Sequence, residues 1–321
     1  MILLIAGTAS GGHYLPAFNM GYSLRYFHGR DTVLAVFGSG KYGDENSGWI
    51  INFSSLRDFS RFLKEKKDDI EVVISFGSRH VIWPSILAKR IIGTLWVHEQ
   101  NVIPGKANKL LFHFADKILL TFEGGEPFIP PSFYRKLAVV GYPLMEIDKE
   151  NTPLTDDVLQ ISKDKEVIVF TGGSKGSVEI GVIASNFLKH VIEKDMKDVF
   201  VIWQRGREDV WFQSEYGFVR GFIPKLYKVF EIADLVIARG GAGTIAELVS
   251  LGKNAILVPL RGLASDHQYF NALYSGYPIG RVDTLTFDTI YGALHDKKQL
   301  NETKIKIMDY DFVIDLIGGR E

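Results

Sequence analysis

The sequence predicts an α/β chain of two domains, each a parallel sheet covered by helices, and three observations predict it. Short apolar runs alternate with longer amphipathic stretches, as expected of buried parallel strands joined by helical crossovers. The alternation breaks off near residue 141 and restarts near residue 166. A length of 321 residues is long for one domain and comfortable for two.

In the first half, strands are expected at 2–6, 32–37, 72–75, 94–97, 117–120 and 137–140. Helical patterns lie between them at 17–27, 56–67, 84–92 and 106–114. Pro84 suits the first turn of its helix, where no backbone N–H is needed. In the second half, strands are expected at 166–171, 199–203, 235–238 and 255–259, with helices at 178–192, 226–232 and 244–250. Gly-Tyr-Pro at 141–143 and the polar stretch 148–157 mark the hinge. A last amphipathic run at 310–317 reads as a closing helix that returns to the first domain. The expected domains are therefore 1–144, 145–305 and the returning helix 306–321.

There is no cysteine, so disulfides and thiolate metal sites are excluded. The apolar start at residues 2–6 has no basic leader, and no run approaches the ~20 apolar residues of a membrane span. A net charge of −1 argues against bulk nucleic-acid binding. The charge is uneven: residues 1–144 hold 16 Lys+Arg against 12 Asp+Glu, and the remainder 21 against 26. A basic first half suits an anionic partner such as a phospholipid or a pyrophosphate.

Three glycine-rich loops each follow an expected strand and open a helix: 7–13, 172–176 and 240–244. Glycine lets a backbone approach a ligand closely, and a helix start offers free N–H groups to an anion. None has the GxxxxGK[ST] pattern of a P-loop, and none has the strict dinucleotide GxGxxG. His13 ends the first loop, where a neutral imidazole can accept a proton from a hydroxyl. His98-Glu99-Gln100-Asn101 follows the strand at 94–97 and clusters polar side chains at a strand end, where a sugar or a diphosphate binds. Its spacing lacks the second histidine of HExxH, so no metal site is expected. Glu247 sits early in the helix after the third loop, positioned either for ribose hydroxyls or simply to favour the helix dipole. Asp266 reads as a helix cap ahead of His267, Gln268 and Asn271.

Taken together, these segments resemble the MurG family of glycosyltransferases. GTASGGHYLPA, HEQNVIPGKANKLL, TGGSKGS, GFIPKLYKVFEIADLVIARGGAGTIAEL and PLRGLASDHQYFNA follow the family's motifs in order, from about residue 2 to residue 272. The resemblance implies a GT-B fold: α/β, two Rossmann-like domains whose parallel sheets face each other across a cleft. It implies an inverting hexosyltransferase that moves N-acetylglucosamine from UDP-N-acetylglucosamine to the muramyl 4-hydroxyl of undecaprenyl-linked lipid I. That enzyme works peripherally at the cytoplasmic face of the bacterial inner membrane, against an anionic surface. No cofactor is obligatory, and Mg²⁺ is compatible.

Carried over by residue, the resemblance gives His13 and Glu99 catalytic roles and places Ser10, Gly11, Gly12 and Asn101 at the acceptor and its diphosphate. Ser174, Ala242, Gly243 and Thr244 would hold the donor diphosphate. Ile223 would meet uracil through its backbone, Glu247 the ribose, and His267, Gln268 and Asn271 the sugar. The chain departs from the family at Met145, where an arginine is usual, leaving Lys175 or Arg205 as the substitute charge. It also departs at Arg79 and His80, where small or aromatic residues are usual. Two helical stripes are candidates for the membrane: Leu56, Phe59, Phe62 and Leu63, and the run from Lys106 to Lys117. The rival readings are another sugar-nucleotide enzyme of this fold, a glycolipid transferase or a UDP-sugar 2-epimerase, and a non-catalytic sugar-nucleotide-binding protein.

Overall fold

The computed structural model describes residues 1–8, 11–38, 48–145, 164–206, 210–262, 266–296 and 302–319. The chain divides into two compact units. The first holds Met1–Ile147 with Lys304–Glu321, and the second holds Asp148–Thr303. The polar stretch 148–157, expected as part of the hinge, lies outside the described residues.

The first unit is a seven-stranded, all-parallel sheet in the order β3-β2-β1-β4-β5-β6-β7. Its strands are β1 (Ile2–Gly7), β2 (Thr32–Phe37), β3 (Ile50–Phe53), β4 (Val72–Ser75), β5 (Trp96–Glu99), β6 (Lys117–Leu120) and β7 (Leu137–Val139). Strands β1 and β4 are buried along their whole length, as a sheet covered on both faces requires. Helices α1 (Gly11–Tyr26), α2 (Leu56–Glu65), α3 (Ile82–Ile92) and α4 (Lys106–Leu111) supply the crossovers. Ser55 caps α2 by accepting from the Asp58 N–H.

Phe59 and Leu63 of α2 are fully buried, and Phe59 meets Phe37 and Phe53 edge-on. Phe59 and Leu63 of the first membrane stripe are core and Phe62 packs against them, which leaves Leu56 as its exposed apolar residue. Strand β3 was not expected. It sits at the sheet edge and its pattern is short and mixed.

The last helix, Tyr310–Ile317, packs Tyr310, Val313 and Leu316 into the same core cluster as Ile2, Leu4, Met20 and Leu24. The chain leading into it pairs with the end of the sheet. The Tyr142 N–H donates to the Lys306 carbonyl at 2.7 Å and the Met308 N–H to the Tyr142 carbonyl at 3.0 Å. Asn19, His98 and Tyr310 then bond the carbonyls of Pro143, Gly141 and Leu144.

The second unit is a six-stranded sheet in the order β10-β11-β9-β8-β12-β13. Its strands are β8 (Glu166–Thr171), β9 (Val199–Gln204), β10 (Trp211–Ser214), β11 (Gly217–Arg220), β12 (Leu235–Ala238) and β13 (Ala255–Leu257). All neighbours are parallel except the hairpin β10–β11. That hairpin went unread in the sequence because β10 is an exposed edge strand without apolar alternation. Helices α5 (Val178–Glu193), α6 (Leu226–Ile232), α7 (Ala242–Ser250), α8 (His267–Ser275) and α9 (Phe287–His295) complete the unit.

Candidate active site

Open α/β sheets bind ligands at the carboxyl ends of strands where the strand order reverses. The first sheet reverses at β1, which lies between β2 and β4. The second reverses at β8, between β9 and β12. Each unit therefore has one such edge, and the motifs of the sequence fall on it.

In the first unit, a cavity of about 340 Å³ opens at this edge, lined among others by His13, Ser78, Arg79, Glu99, Asn101 and Lys106. His13 lies in the first turn of α1, and its Nδ1 is 2.9 Å from the Phe76 carbonyl at the end of β4. A carbonyl only accepts, so Nδ1 carries a proton, and in the neutral ring the lone pair is then on Nε2. Pro16 interrupts the ladder of this helix, so the bond to Phe76 is a tertiary anchor for its opening turn. Gly12 is exposed beside His13, Gly11 begins the helix, and Ser10 lies outside the described residues.

Glu99 is buried, and both of its oxygens are occupied. Oε1 accepts from the Asn101 backbone and side-chain N–H groups, and Oε2 from the Gly105 N–H and Asn108 Nδ2. A carboxylate has about four acceptor positions, and these four donors fill them. Glu99 therefore folds the loop 99–108. Its geometry is that of a positioning residue. Beside it, burial drives the His98 imidazole down to about 4. The neutral ring accepts from Gln100 Nε2 at 3.2 Å and donates from Nε2 to the Gly141 carbonyl at 3.1 Å.

Ser78 was not singled out in the sequence. Its φ is +85°, which is unusual for a residue with a side chain, and its buried hydroxyl finds no protein partner among the described residues. The hydroxyl packs against Gly7, where a Cβ would lie 2.1 Å from Ser78 Oγ. Asn108 Oδ1 is likewise buried without a protein partner among the described residues. Arg79 and Lys106 are exposed at the same cavity.

In the second unit the edge is built mainly from backbone. Ser174 is exposed in the loop after β8, next to the equally exposed Lys175. Arg205 lies over the Trp203 ring, 5.9 Å from its centroid. Ala242 opens α7, followed by Gly243 and Thr244, and Glu247 lies one turn further on. Burial raises the Glu247 carboxyl to about 7. Arg239 follows β12, pairs with Glu179 of α5 and donates to the Val258 carbonyl at 3.0 Å. Sequence reasoning passed over Arg239 because it counted only the glycines that follow.

Gly240 meets the start of α8 so closely that a Cβ would lie 2.2 Å from the Gln268 carbonyl oxygen. Asn271 Nδ2 donates to the Gly240 carbonyl at 3.2 Å, and Gln268 Oε1 accepts from the Leu260 N–H at 3.0 Å. His267 begins α8 and is half-buried. Asp266 does not cap that helix through its side chain. Its φ is +40°, and Oδ1 instead accepts from the Gly262 N–H at 3.0 Å. The Ile223 N–H donates to Gln204 Oε1 at 2.9 Å, so an incoming base finds it already taken. Among the described residues no group of His, Asp and Glu is arranged to hold a metal ion.

The glycosyltransferase family 28 N-terminal domain matches residues 48–120 and the family 28 C-terminal domain residues 167–276. The UDP-N-acetylglucosamine–N-acetylmuramyl-(pentapeptide) pyrophosphoryl-undecaprenol N-acetylglucosamine transferase of Parabacteroides distasonis is 34% identical, over 84% of this chain and 81% of its own. The chain belongs to glycosyltransferase family 28. Among solved structures, MurG of Acinetobacter baumannii superposes with a TM-score of 0.60 at 21% identity, covering 99% of both chains. The UDP-GlcNAc 2-epimerase of Neisseria meningitidis, bound to UDP-GlcNAc, reaches 0.64 at 11% identity over all of both chains. These likenesses carry the two-domain GT-B fold, which the family shares with enzymes of other chemistry. The segments through which the sequence resembles the family fall on the two reversal edges described above.

Proposed function

We propose that this chain moves N-acetylglucosamine from UDP-N-acetylglucosamine to the 4-hydroxyl of the N-acetylmuramyl group of lipid I, giving lipid II with inversion at the anomeric carbon. The family membership supports the reaction. The single observation that supports its chemistry is the His13–Phe76 bond, which leaves a bare imidazole nitrogen at the cavity of the first unit.

Nε2 of His13 takes the proton of the acceptor hydroxyl as its oxygen forms a bond to the anomeric carbon. The bond from that carbon to the UDP oxygen breaks, and the diphosphate carries away the electron pair. Backbone amides of the loop 172–176 and of the start of α7 stabilise the departing charge. Glu247 takes the ribose hydroxyls, and Gln268 and Asn271 fix the strand-end loops on which the sugar rests. Ser78, Arg79 and Lys106 meet the acceptor's pyrophosphate in the cavity.

No described helix is long and apolar enough to cross a membrane. A lipid-linked acceptor is then reached from the bilayer surface. Helices α3 and α4 are neighbours; they expose Trp83 and Leu110 together with Lys106 and Lys109, and the turn after α4 exposes Phe114. Apolar and basic side chains on adjoining helices suit an anionic surface. In this reading the enzyme sits peripherally on the cytoplasmic face of the inner membrane.

The test is transfer of labelled N-acetylglucosamine to a lipid I analogue, with UDP-glucose and UDP-galactose as controls. The expected result is selective transfer from UDP-N-acetylglucosamine. Epimerised product from UDP-N-acetylglucosamine alone, or binding with no turnover when acceptor is present, overturns the assignment.

A further inference from the structure

We propose that Gln100 is a positioning residue that locks the Phe76–Gly77 peptide and, through its carbonyl, keeps His13 in the tautomer able to take a proton. The inference rests on the proposed role of His13 as the base.

The Phe76 carbonyl is shared. It accepts from His13 Nδ1 at 2.9 Å and from Gln100 Nε2 at 3.3 Å. Gln100 is 2% exposed. Its nitrogen end also donates to the His98 carbonyl at 3.0 Å and lies 3.2 Å from His98 Nδ1. Two of these three neighbours are carbonyls, which only accept, so the end of the amide that faces them is the nitrogen. The oxygen end, Oε1, is buried without a protein partner among the described residues. The side chain thus leaves its acceptor unmet while its donors serve Phe76 and His98. His98 is a firm support for it. Its Nε2 donates to the Gly141 carbonyl at 3.1 Å, and its ring stacks on the Phe76 ring with centroids 5.1 Å apart.

The peptide after Phe76 needs such a lock. The Phe76 N–H is fixed, because it continues the sheet by donating to the Ile5 carbonyl at 3.0 Å. The carbonyl side has no such ladder. Strand β4 ends at Ser75, and Gly77 and Ser78 follow with φ of +77° and +85°. Glycine adopts either sign of φ, so the Phe76–Gly77 peptide can turn over. Turned over, it presents the Gly77 N–H where the carbonyl oxygen stood.

His13 Nδ1 would meet that N–H only as an acceptor, and in the neutral ring the proton would then sit on Nε2. A protonated Nε2 takes no proton from a hydroxyl. Gln100 opposes the turn, because a reversed peptide sets the Gly77 N–H against the N–H of the amide. Gln100 in this way decides the tautomer of a ring it does not touch.

The experiment records two-bond ¹⁵N–¹H correlation spectra of the histidine rings, which distinguish the two tautomers, together with turnover. It uses the full chain and two variants. Gln100→Met keeps the length of the side chain and removes its donors. Gln100→Asn keeps the amide and draws it back from the Phe76 carbonyl by one methylene. The wild-type His13 ring is expected as the Nδ1–H tautomer. Both variants should shift the tautomer ratio roughly tenfold towards Nε2–H, the scale of one or two net hydrogen bonds. Turnover should fall in proportion to the Nδ1–H population, with the KM for UDP-N-acetylglucosamine unchanged. In a His13→Ala background Gln100→Met should cost nothing further. An unchanged ratio in the variants overturns the proposal, and so does a further loss in the His13→Ala background. If Gln100→Met fails to fold, Gln100→Asn decides by the same spectrum, and a wild-type His13 with its proton on Nε2 overturns the proposal without any variant. A shifted tautomer with unchanged turnover would instead remove His13 as the base, the reading on which the proposal stands.

Discussion

The reversal edge at β1 is furnished with side chains, and the one at β8 with backbone. In the first unit His13, Ser78, Glu99, Asn101 and Asn108 crowd the strand ends, and a strained serine and two cations face a cavity. In the second unit the glycines at 172–176 and 240–243 bring amides to the edge, and Gln204, Gln268 and Asn271 serve chiefly to hold those loops. On the proposed mechanism, the same topology supports two kinds of work. Proton transfer needs a group whose charge state can change. Restraining a leaving diphosphate needs fixed dipoles that cost no reorganisation. The contrast extends to buried charge. His98 in the first unit is held neutral by burial, with its pKa lowered. Glu247 in the second is a carboxyl whose pKa is raised for the same reason.

The strongest way to break this comparison is His13→Ala. If the first unit supplies the base, turnover falls about 10²- to 10⁴-fold while the affinity for UDP, measured by calorimetry, stays at the wild-type value. Near-normal turnover would remove His13 from the mechanism.

The opposite pKa shifts make a second test. His98 titrates near 6.5 unfolded and about 4 folded, so its contribution is complete above pH 6.5 and is lost as pH falls towards 4. Glu247 moves from 4.5 to about 7, so the folded carboxyl prefers its proton. The second unit is then most stable below pH 4.5 and loses stability as pH rises to about 7. Each shift corresponds to at most about 3.5 kcal/mol. Hydrogen exchange resolved by unit should show the two trends running in opposite directions, and Glu247→Gln should flatten the second. UDP engaging an ionised Glu247 should bind more tightly at pH 8 than at pH 6, and this difference should vanish in the same variant.

Gly240→Ala sharpens the comparison from the backbone side. The new methyl group meets the Gln268 carbonyl, and the forced shift costs about 1–3 kcal/mol. Weaker UDP binding with intact binding of an acceptor analogue is the expected readout. The smallest effect belongs to Arg79→Ala and Lys106→Ala. Each exposed charge should raise the KM for the lipid acceptor by roughly fivefold, leaving the KM for the donor unchanged.

Much of this architecture was legible because buried parallel strands leave unambiguous apolar runs. Ile2–Gly7, Thr32–Phe37 and Leu235–Ala238 emerge almost to the residue. What escaped was at the edges: β3 and the β10–β11 hairpin lack both full burial and clean alternation. At the site, motif and chemistry parted company. The motif located Glu99 and Asp266, but their roles depend on which N–H groups the folded loops bring to them. No spacing rule shows that four donors converge on Glu99. Ser78 and Gln204 carried no motif signal either, since a buried, unpartnered hydroxyl and an amide bridging Thr171 to Ile223 exist only once separate strands lie side by side. The paired polar residues at the ends of β8 and β9, Thr171 and Gln204, are the one hint that a register argument would have exposed.

The threading of the first unit bears on how the polypeptide is made. Tyr310, Val313 and Leu316 belong to its core, and Lys306 and Met308 are stitched to Tyr142, yet all are translated after the whole of residues 148–303. The second unit is one continuous stretch of chain, whereas the first can close only when its last segment arrives. The first must wait with Leu4, Met20 and Leu24 incompletely covered, so a nascent chain halted before residue 304 should be the species that needs a chaperone.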